Sequence, residues 1–415
     1  MALVAKLYVS LPQDLVDDIL SRLPVKSLIR FKCVSKAWHA LITSLQFATS
    51  HFQKSSQNPK VLVMIGHEDY HVRVVQSKAL VISQNHVEFE PVDVGFPLRG
   101  TTNIGRVYTT LASCNGLVCV EFFDQYTDTY EYLVWNPSTR SNRNIPRSTT
   151  FDSSFDGSYS FGFGYDYSTH DYKLLRSYYN EYESGFPKLE FEIFLLKTFT
   201  WRKINLDKDD NTYISICSKV PMKQHSTFFN GAIYWAVEPK STPELMKPSI
   251  IYFDLAEEIF HEVSFPESLS YFTRGGYFKV LSELGILGEH LCLSVCTDQD
   301  FNNFSIQLWV MKKSWTWTRL ATIPYQNSCL RPIFLSNNNS EVLMLDTGIK
   351  GDGVELIMYN LKENTNTTIF KPKPGIESMC NWNTYIGTRR IYNDPDPVIE
   401  VAMYVESLYS FDYNE

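Results

Sequence analysis

The sequence predicts two structural units, a small all-α unit of three helices at the N-terminus and a large all-β domain of the β-propeller type. Apolar residues recur at helical spacing within residues 11–52. Beyond that segment they alternate with polar residues in short runs, and aromatic residues make up 14% of the chain, which favours strands. In addition, five hairpin-like segments recur at intervals of 50 to 59 residues, the spacing of kelch-like propeller blades.

The first helix is predicted to begin at Pro12 and to end before Pro24. Proline suits the first turn of a helix, and the residue that precedes a proline avoids helical geometry. The apolar stripe of this helix consists of Leu15, Val16, Ile19, Leu20 and Leu23. A second helix carries Leu28, Ile29 and Phe31, and a third carries Val34, Trp38, Leu41, Ile42 and Leu45. Three such helices enclose little core, so part of their apolar surface must be buried against the β domain or against a partner.

A polar stretch over residues 53–59 predicts a linker between the two units. The predicted organisation is therefore a tail (1–10), the helical unit (11–52), a linker (53–60) and the β domain (61–410).

Each hairpin-like segment of the β domain starts at an aromatic residue and closes at an aliphatic residue ten or eleven positions later. The starting residues are Trp135, Phe194, Phe253, Trp309 and Tyr359. Stacked blades would cover the apolar face of each hairpin. A propeller must also join its ends, so residues 61–65 and 398–408 are expected in the same or adjacent blades. A large β-sandwich stays open as the alternative fold.

Composition argues against several classes of partner. The formal net charge is −8, whereas nucleic-acid binding needs a dense basic surface. No run approaches the roughly 20 apolar residues of a membrane span, and no signal peptide is visible, so we expect a location in the cytoplasm, the nucleus or both. The eight cysteines form no C-x-x-C pair, and His67 and His71 suit a solvated edge. We therefore expect no metal and no cofactor.

Signals for catalysis are weak. The chain has no G-x-S-x-G or H-E-x-x-H motif. Two carboxylate pairs, Asp166 with Asp171 and Glu257 with Glu258, lie at predicted turns, and turn formation is sufficient to explain them. A hydrolase-like propeller enzyme with an unrelated helical cap stays open as the alternative to a binding protein.

Residues 11–38 are very similar to the F-box of plant F-box proteins. The shared features are the leucine-proline opening at 11–12, the arginine-leucine-proline turn at 22–24, and the cysteine-valine-x-lysine-x-tryptophan run at 33–38. The resemblance implies that the helices bind a Skp-family adaptor and, through it, a cullin and a RING protein. By position, the residues facing the adaptor would be Leu11, Pro12, Leu15, Ile19, Leu20, Pro24, Leu28, Cys33, Val34 and Trp38.

Five further motifs resemble, in order, those of the plant F-box-associated domain. They begin at Ser113, Leu133, Phe161, Phe229 and Tyr404. Two contain an Asn-Gly pair, at 115–116 and 230–231, which is a signal for a tight hairpin turn. The resemblance implies a non-catalytic subunit that recruits a protein substrate for ubiquitination and proteasomal degradation. The domain is also similar to those of S-locus F-box proteins, whose relatives recognise S-ribonucleases in self-incompatibility.

The substrate is expected to contact exposed loops between strands, where sequence can vary at little structural cost. Candidate loops span residues 124–132, 180–186, 238–248, 298–304 and 348–354. Several place tyrosine or phenylalanine beside charged residues, as recognition surfaces do. The candidate contact residues include Tyr126, Tyr130, Tyr182, Phe186, Phe301 and Phe304.

Overall fold

The fold is known from a computed structural model. It describes residues 11–56, 59–69, 72–82, 87–93, 97, 110–124, 129–148, 158–180, 188–205, 225–237, 248–267, 269, 282–298, 304–312, 315–324, 330–336, 339–346, 355–370, 398–409 and 411.

The N-terminal unit contains four helices instead of the three predicted. They are α1 (Gln13–Leu20), α2 (Val25–Phe31), α3 (Lys36–Thr43) and α4 (Leu45–Ser55). The predicted third helix is divided at Ser44, whose backbone is extended with ψ 142° and whose Oγ accepts the N–H of Phe47 at 3.2 Å. Because α4 continues to Ser55, the first three residues of the predicted linker are helical.

The helical core is small and includes one residue from the far end of the chain. Its buried members are Leu20, Val25, Leu28, Ile42, Phe47, Ala48 and Leu408. His51 of α4 is buried beside this core and places Nε2 2.9 Å from the carbonyl oxygen of Leu23. This contact ties α4 to the segment between α1 and α2.

Within the described residues, the strands form six four-stranded antiparallel sheets. The first sheet contains β1 (Lys60–Asp69), β2 (Val72–Ile82), β3 (Val87–Asp93) and β24 (Val398–Tyr404). The second contains β4 (Thr110–Cys114), β5 (Leu117–Asp124), β6 (Thr129–Trp135) and β7 (Asn142–Ile145), and the third contains β8 (Ser158–Asp166), β9 (Asp171–Asn180), β10 (Lys188–Leu195) and β11 (Thr200–Ile204).

The remaining three sheets follow the same chain order. The fourth contains β12 (Thr227–Phe229), β13 (Ala232–Val237), β14 (Ser249–Asp254) and β15 (Phe260–Ser264). The fifth contains β16 (Ser282–Leu287), β17 (His290–Asp298), β18 (Phe304–Met311) and β19 (Trp317–Pro324). The sixth contains β20 (Leu330–Leu335), β21 (Glu341–Asp346), β22 (Glu355–Asn360) and β23 (Thr365–Phe370).

The six sheets are the blades of a closed β-propeller. The innermost strands contact one another in a ring that runs from β24 through β4, β8, β12, β16 and β20 back to β24. Hydrophobic clusters lie between neighbouring sheets; one example joins Ile233 and Trp235 of the fourth sheet to Leu175 and Ile193 of the third. This arrangement confirms the predicted propeller.

The ends of the propeller are joined within the first sheet, as predicted. Strand β24 pairs with β1 in antiparallel register, with Val61 opposite Met403 and Val63 opposite Val401. The C-terminal strand is therefore the innermost strand of a blade whose other three strands come from the start of the domain.

The five predicted hairpins are the outer strand pairs of the second to sixth sheets. The turn of each contains a residue with positive φ: Arg140, Phe199, Glu258, Trp315 and Asn364. In the fifth sheet, Met311 and not Trp309 occupies the position of the starting aromatic residue, because Met311 pairs with Trp317 as Phe194 pairs with Trp201. The hairpin of the first sheet, β2–β3, has aliphatic Val81 at that position and therefore does not show the aromatic repeat.

The two Asn-Gly pairs form tight turns as predicted. Asn115 and Gly116 have φ values of 47° and 81°, and Asn230 and Gly231 have 46° and 82°. Positive φ at both central positions is the type I′ geometry that matches the twist of a two-residue hairpin.

Candidate functional site

Exposed apolar side chains are concentrated on the helical unit. Of nine large apolar side chains that are exposed in the described part of the chain, six belong to this unit of about 45 residues. They are Leu11, Leu15, Ile19, Ile29, Val34 and Leu45. Leu15 and Ile19 are four residues apart and lie along one side of α1, and Leu11 precedes the helix. We call the exposed residues Leu11, Pro12, Leu15, Ile19, Pro24, Cys33 and Val34 the apolar helical face.

The structure divides the ten residues predicted to face the adaptor into two groups. Those of the apolar helical face are exposed, and Trp38 is partly buried against Phe31, with the two ring centroids 5.5 Å apart. Leu20 and Leu28, in contrast, are 2% and 0% exposed and belong to the helical core. We correct the prediction for these two residues, because their side chains stabilise the helices from inside. Ile29 and Leu45 are further exposed apolar residues of the helical unit that lie outside the predicted set.

Residues 405–409, which we call the C-terminal clamp, connect the helices to the propeller. The carboxylate of Glu406 accepts the backbone N–H of Val25 at 2.9 Å, at the start of α2, and forms an ion pair with Lys60. Leu408 enters the helical core and is 1% exposed. The helices are thus held against the propeller by hydrogen bonding, charge and apolar packing.

The second sheet holds the clamp from the other side. Asn136 is fully buried, and its Nδ2 donates to the carbonyl oxygens of Ser407 at 3.0 Å and Tyr409 at 2.9 Å. A Cβ atom on Gly116 would lie 2.3 Å from the Cβ of Ser407, so the clamp crosses the β4–β5 turn at a distance that only glycine permits. Three of the five sequence motifs, at 113–119, 133–140 and 404–408, therefore meet at one place.

Comparison with known proteins identifies both units. The F-box domain family matches residues 9–49, and the family described as F-box associated beta propeller domain matches residues 74–410. The chain belongs to the F-box proteins with an F-box-associated β-propeller. Its helical unit is the F-box.

Plant F-box proteins are similar along most of their length. An F-box/kelch-repeat protein of Arabidopsis thaliana is 28% identical over 360 residues, which cover 82% of this chain and 86% of the relative. The F-box protein CPR1 of Arabidopsis thaliana is 25% identical over 388 residues, covering 87% of this chain and 84% of the relative. Among solved structures, TolB from Acinetobacter baumannii has a TM-score of 0.45 and 10% identity, over 86% of this chain and 70% of that one.

The carboxylates considered for catalysis have structural partners. Asp166 is buried; its Oδ1 accepts the N–H of Ser168 at 2.8 Å and its Oδ2 lies 2.9 Å from Lys173 Nζ. Burial alone would raise the pKa of Asp166, but hydrogen bonds from Lys173, Ser168 and Thr169 hold it well below its ordinary value. Lys173 also binds Glu258 of the fourth sheet at 2.9 Å, so this cluster connects two blades.

Asp171, the other acid of the pair, also has a structural role. Asp171 accepts the backbone N–H of Lys197 at 2.9 Å, which joins the start of β9 to the β10–β11 turn. Burial raises the pKa of Asp171. Asp166 thus stabilises its own turn, as predicted, and both acids also connect that turn to other parts of the propeller.

The residues proposed to contact substrate are not brought together by the described part of the structure. Tyr126, Tyr182, Phe186 and Phe301 lie outside the described residues. Tyr130 and Phe304 lie in the first halves of β6 and β18, respectively. Their role remains a prediction. No helix in the described ranges is long and apolar enough to cross a membrane.

Proposed function

We propose that this F-box protein is the substrate-recognition subunit of a Skp–cullin–F-box ubiquitin ligase. The observation that carries the proposal is the apolar helical face: Leu11, Leu15 and Ile19 are 59%, 51% and 51% exposed on a helical unit whose buried core does not include them. An apolar surface of this kind marks a site of protein interaction. The partner is a Skp-family adaptor, which links the chain to a cullin and a RING protein.

Basic residues beside this face favour the same partner. Lys26, Arg30 and Lys36 are exposed on α2 and at the start of α3. Positive charge at the edge of an apolar site accelerates association with an acidic partner and contributes less to final affinity. We therefore expect adaptor association to slow as the salt concentration rises.

The propeller is the substrate-binding domain in this proposal. Its closed ring of blades is a rigid support for loops that can vary without loss of the fold. The C-terminal clamp connects that support to the F-box, so a bound protein would be presented to the ligase in a defined orientation. The chain itself then performs no catalysis and acts in the cytoplasm or nucleus, where its substrate is ubiquitinated and degraded.

The identity of the substrate is a separate prediction. The resemblance to S-locus F-box proteins favours S-ribonucleases. Retention of the intact chain on an immobilised S-ribonuclease would support this prediction. Ubiquitination of other proteins by the assembled ligase, with no retention on the ribonuclease, would contradict it.

Co-purification with a Skp-family adaptor tests the proposal. The variant Ile19→Asp should lose the adaptor, because a charge at the centre of an apolar interface removes well over 2 kcal/mol of binding free energy at a hot spot. Ile259→Asp is a matched control, since Ile259 lies on the propeller and is 50% exposed against 51% for Ile19. Full retention of the adaptor by Ile19→Asp would overturn the proposal. A propeller enzyme with an unrelated cap would retain no adaptor in any variant.

A further inference from the structure

An aromatic groove lies on the rim of the propeller, between the fourth and fifth sheets. Its aromatic lining residues are Tyr252, Phe260, His261, Phe265, Trp309, Trp315 and Trp317. Trp315 stacks on Tyr252 with ring centroids 5.2 Å apart and planes at 14°, yet it is 46% exposed. A large stacked indole with nearly half its surface in solvent is available to a ligand.

The backbone at Trp315 is strained. Its φ is 58°, in the left-handed region where a bulky residue costs about 1–2 kcal/mol. At the corresponding turn of the sixth sheet the residue is Asn364, a type that tolerates this conformation. Arg140, Phe199 and Glu258 have positive φ at the equivalent turns, so this backbone belongs to the hairpin type, and it is the exposure of the stacked indole of Trp315 that indicates a ligand.

At the boundary between the second and third sheets, the chain itself places arginine side chains on the aromatic rings. There the turn residue is Phe199, and the guanidinium of Arg143 from the preceding sheet lies 3.7 Å from its ring centroid. The neighbouring Trp201 has the guanidinium of Arg176 at 4.4 Å. The rings of Phe199 and Trp201 are therefore each in contact with an arginine of the same chain.

The two boundaries share one tryptophan contact. Trp201 Nε1 donates to the carbonyl of Pro146 at 2.6 Å, and Trp317 Nε1 donates to the carbonyl of Ser264 at 3.1 Å. Pro146 and Ser264 are each four residues beyond the residue that begins the outer strand of the preceding sheet. The tryptophan of the outer strand thus makes the same contact with the preceding sheet at both boundaries, although the β18–β19 turn is one residue shorter than the β10–β11 turn.

At the groove, the two arginine positions hold other residues. His261 corresponds to Arg143, since each follows the first residue of its outer strand. Leu293 corresponds to Arg176. Arg176 pairs with the residue two positions before Phe194. Leu293 pairs with the residue two positions before Met311, which is the counterpart of Phe194 in the fifth sheet. The aromatic residues are retained, and at these two positions the guanidinium groups are absent; His261 stacks instead on Tyr252, which stacks on Trp315.

The charges around the groove suit a cation. Its charged lining residues are Glu262 and Glu267, and Glu257 lies 4.0 Å from His261. Arg319 already places its guanidinium 5.9 Å from the ring of Trp309, so the indoles of this region accept that group. Arginine fits better than lysine, because its planar guanidinium stacks on an indole and bonds a carboxylate with two N–H groups.

We propose that the groove between the fourth and fifth sheets binds an arginine side chain from a basic segment of a protein substrate. The guanidinium stacks on Trp315 or Trp317 and hydrogen-bonds to the carboxylate of Glu267. This assignment rests on the proposed function and adds the chemistry by which the propeller selects its substrate. The expected substrates are proteins with exposed arginine-rich segments.

Fluorescence anisotropy of a labelled Gly-Arg-Gly-Arg-Gly peptide, titrated with the intact chain bound to its adaptor, tests the proposal. The control peptide carries citrulline in place of arginine, which keeps the shape and removes the charge. We expect the arginine peptide to bind about tenfold more tightly, as one partly desolvated cation–π contact predicts, and its affinity to fall with salt. Equal affinity for the two peptides would overturn the assignment.

Trp315→Asn separates recognition from structure. Asparagine relieves the left-handed strain, so this variant should melt at or above the temperature of the parent while binding the arginine peptide about tenfold more weakly. Tyr167→Ala, which removes a 55% exposed aromatic residue from the third sheet, should bind normally. Unchanged peptide affinity in Trp315→Asn would refute the assignment. If no adaptor co-purifies, the proposed ligase function fails, but the titration on the chain alone still decides the groove.

Discussion

The contact between Leu408 and the F-box core predicts that one residue near the C-terminus controls the stability of helices near the N-terminus. Leu408 is 1% exposed, and Val25, Leu28 and Ile42 in the same cluster are all 0% exposed. Leu408→Ala would leave a cavity among these residues. Because they are held by short helices on several sides, the site has little room to collapse.

The expected cost lies in the middle of the range for such substitutions. Replacing a buried leucine by alanine costs about 2–5 kcal/mol, depending on how well the cavity closes. We expect about 3 kcal/mol at Leu408, which corresponds to a factor of roughly 100 in the equilibrium for local opening. The loss should be local, since the blades opposite the clamp share no contact with Leu408 in its cluster.

Hydrogen exchange measured by mass spectrometry distinguishes a local effect from a global one. In Leu408→Ala, the amides of α2 and α4 should exchange roughly 100-fold faster, while those of β13 and β14 keep the parent rates. Leu408→Met is the control, because a change that conserves volume costs less than about 1.5 kcal/mol. Parent-like exchange in α2, or equal acceleration of β13, would refute the coupling between the clamp and the F-box.

Three other predictions concern the same architecture. Burial lowers the pKa of His51 below 6.5, so just below pH 6.5 the unfolded F-box binds a proton at this residue and the folded F-box does not. The stability of the helices, measured by urea titration, should therefore fall as the pH drops through that region. An unchanged pH dependence of stability in His51→Gln would contradict this. Gly116→Ala should lower the free energy of unfolding clearly more than Gly288→Ala, because both glycines have positive φ but a Cβ atom at Gly288 meets nothing within 4 Å. Equal losses of unfolding free energy in denaturation would contradict the contact between Gly116 and the clamp. Deleting residues 398–415 removes β24 and the clamp and should abolish cooperative melting; melting at the full-length temperature would refute propeller closure by β24.

Local sequence signals predicted most of the elements. Proline positions fixed the starts of α1 and α2, and Asn-Gly pairs fixed two hairpin turns, because these residues restrict backbone dihedral angles directly. The hairpin repeat was visible in five of six sheets because aromatic or large residues mark the strand before the turn. Val81 pairs with Glu88 at that position of the ladder, and an aliphatic residue there leaves no distinctive signal in the sequence.

The F-box face shows the limit of periodicity. The apolar stripe of α1 contains both Ile19 and Leu20, and the sequence does not distinguish them. In the structure Ile19 is 51% exposed and Leu20 is 2% exposed. A helical pattern shows that a face is apolar, but whether the chain itself or a partner covers that face depends on how the helices pack.

The sequence by itself determined the two units, the strand-rich propeller with its repeating hairpins, and the F-box motif that assigns the family. Each of these depends on residues close together in the chain. Tertiary structure alone decided the C-terminal clamp, where Glu406 accepts the N–H of Val25 from 381 residues away. It also decided the groove at Trp315, where His261 and Leu293 stand at the positions that hold arginine in the preceding sheets. Both arise from segments distant in sequence that become neighbours only when the ring of blades closes, and no local preference of the chain encodes that proximity.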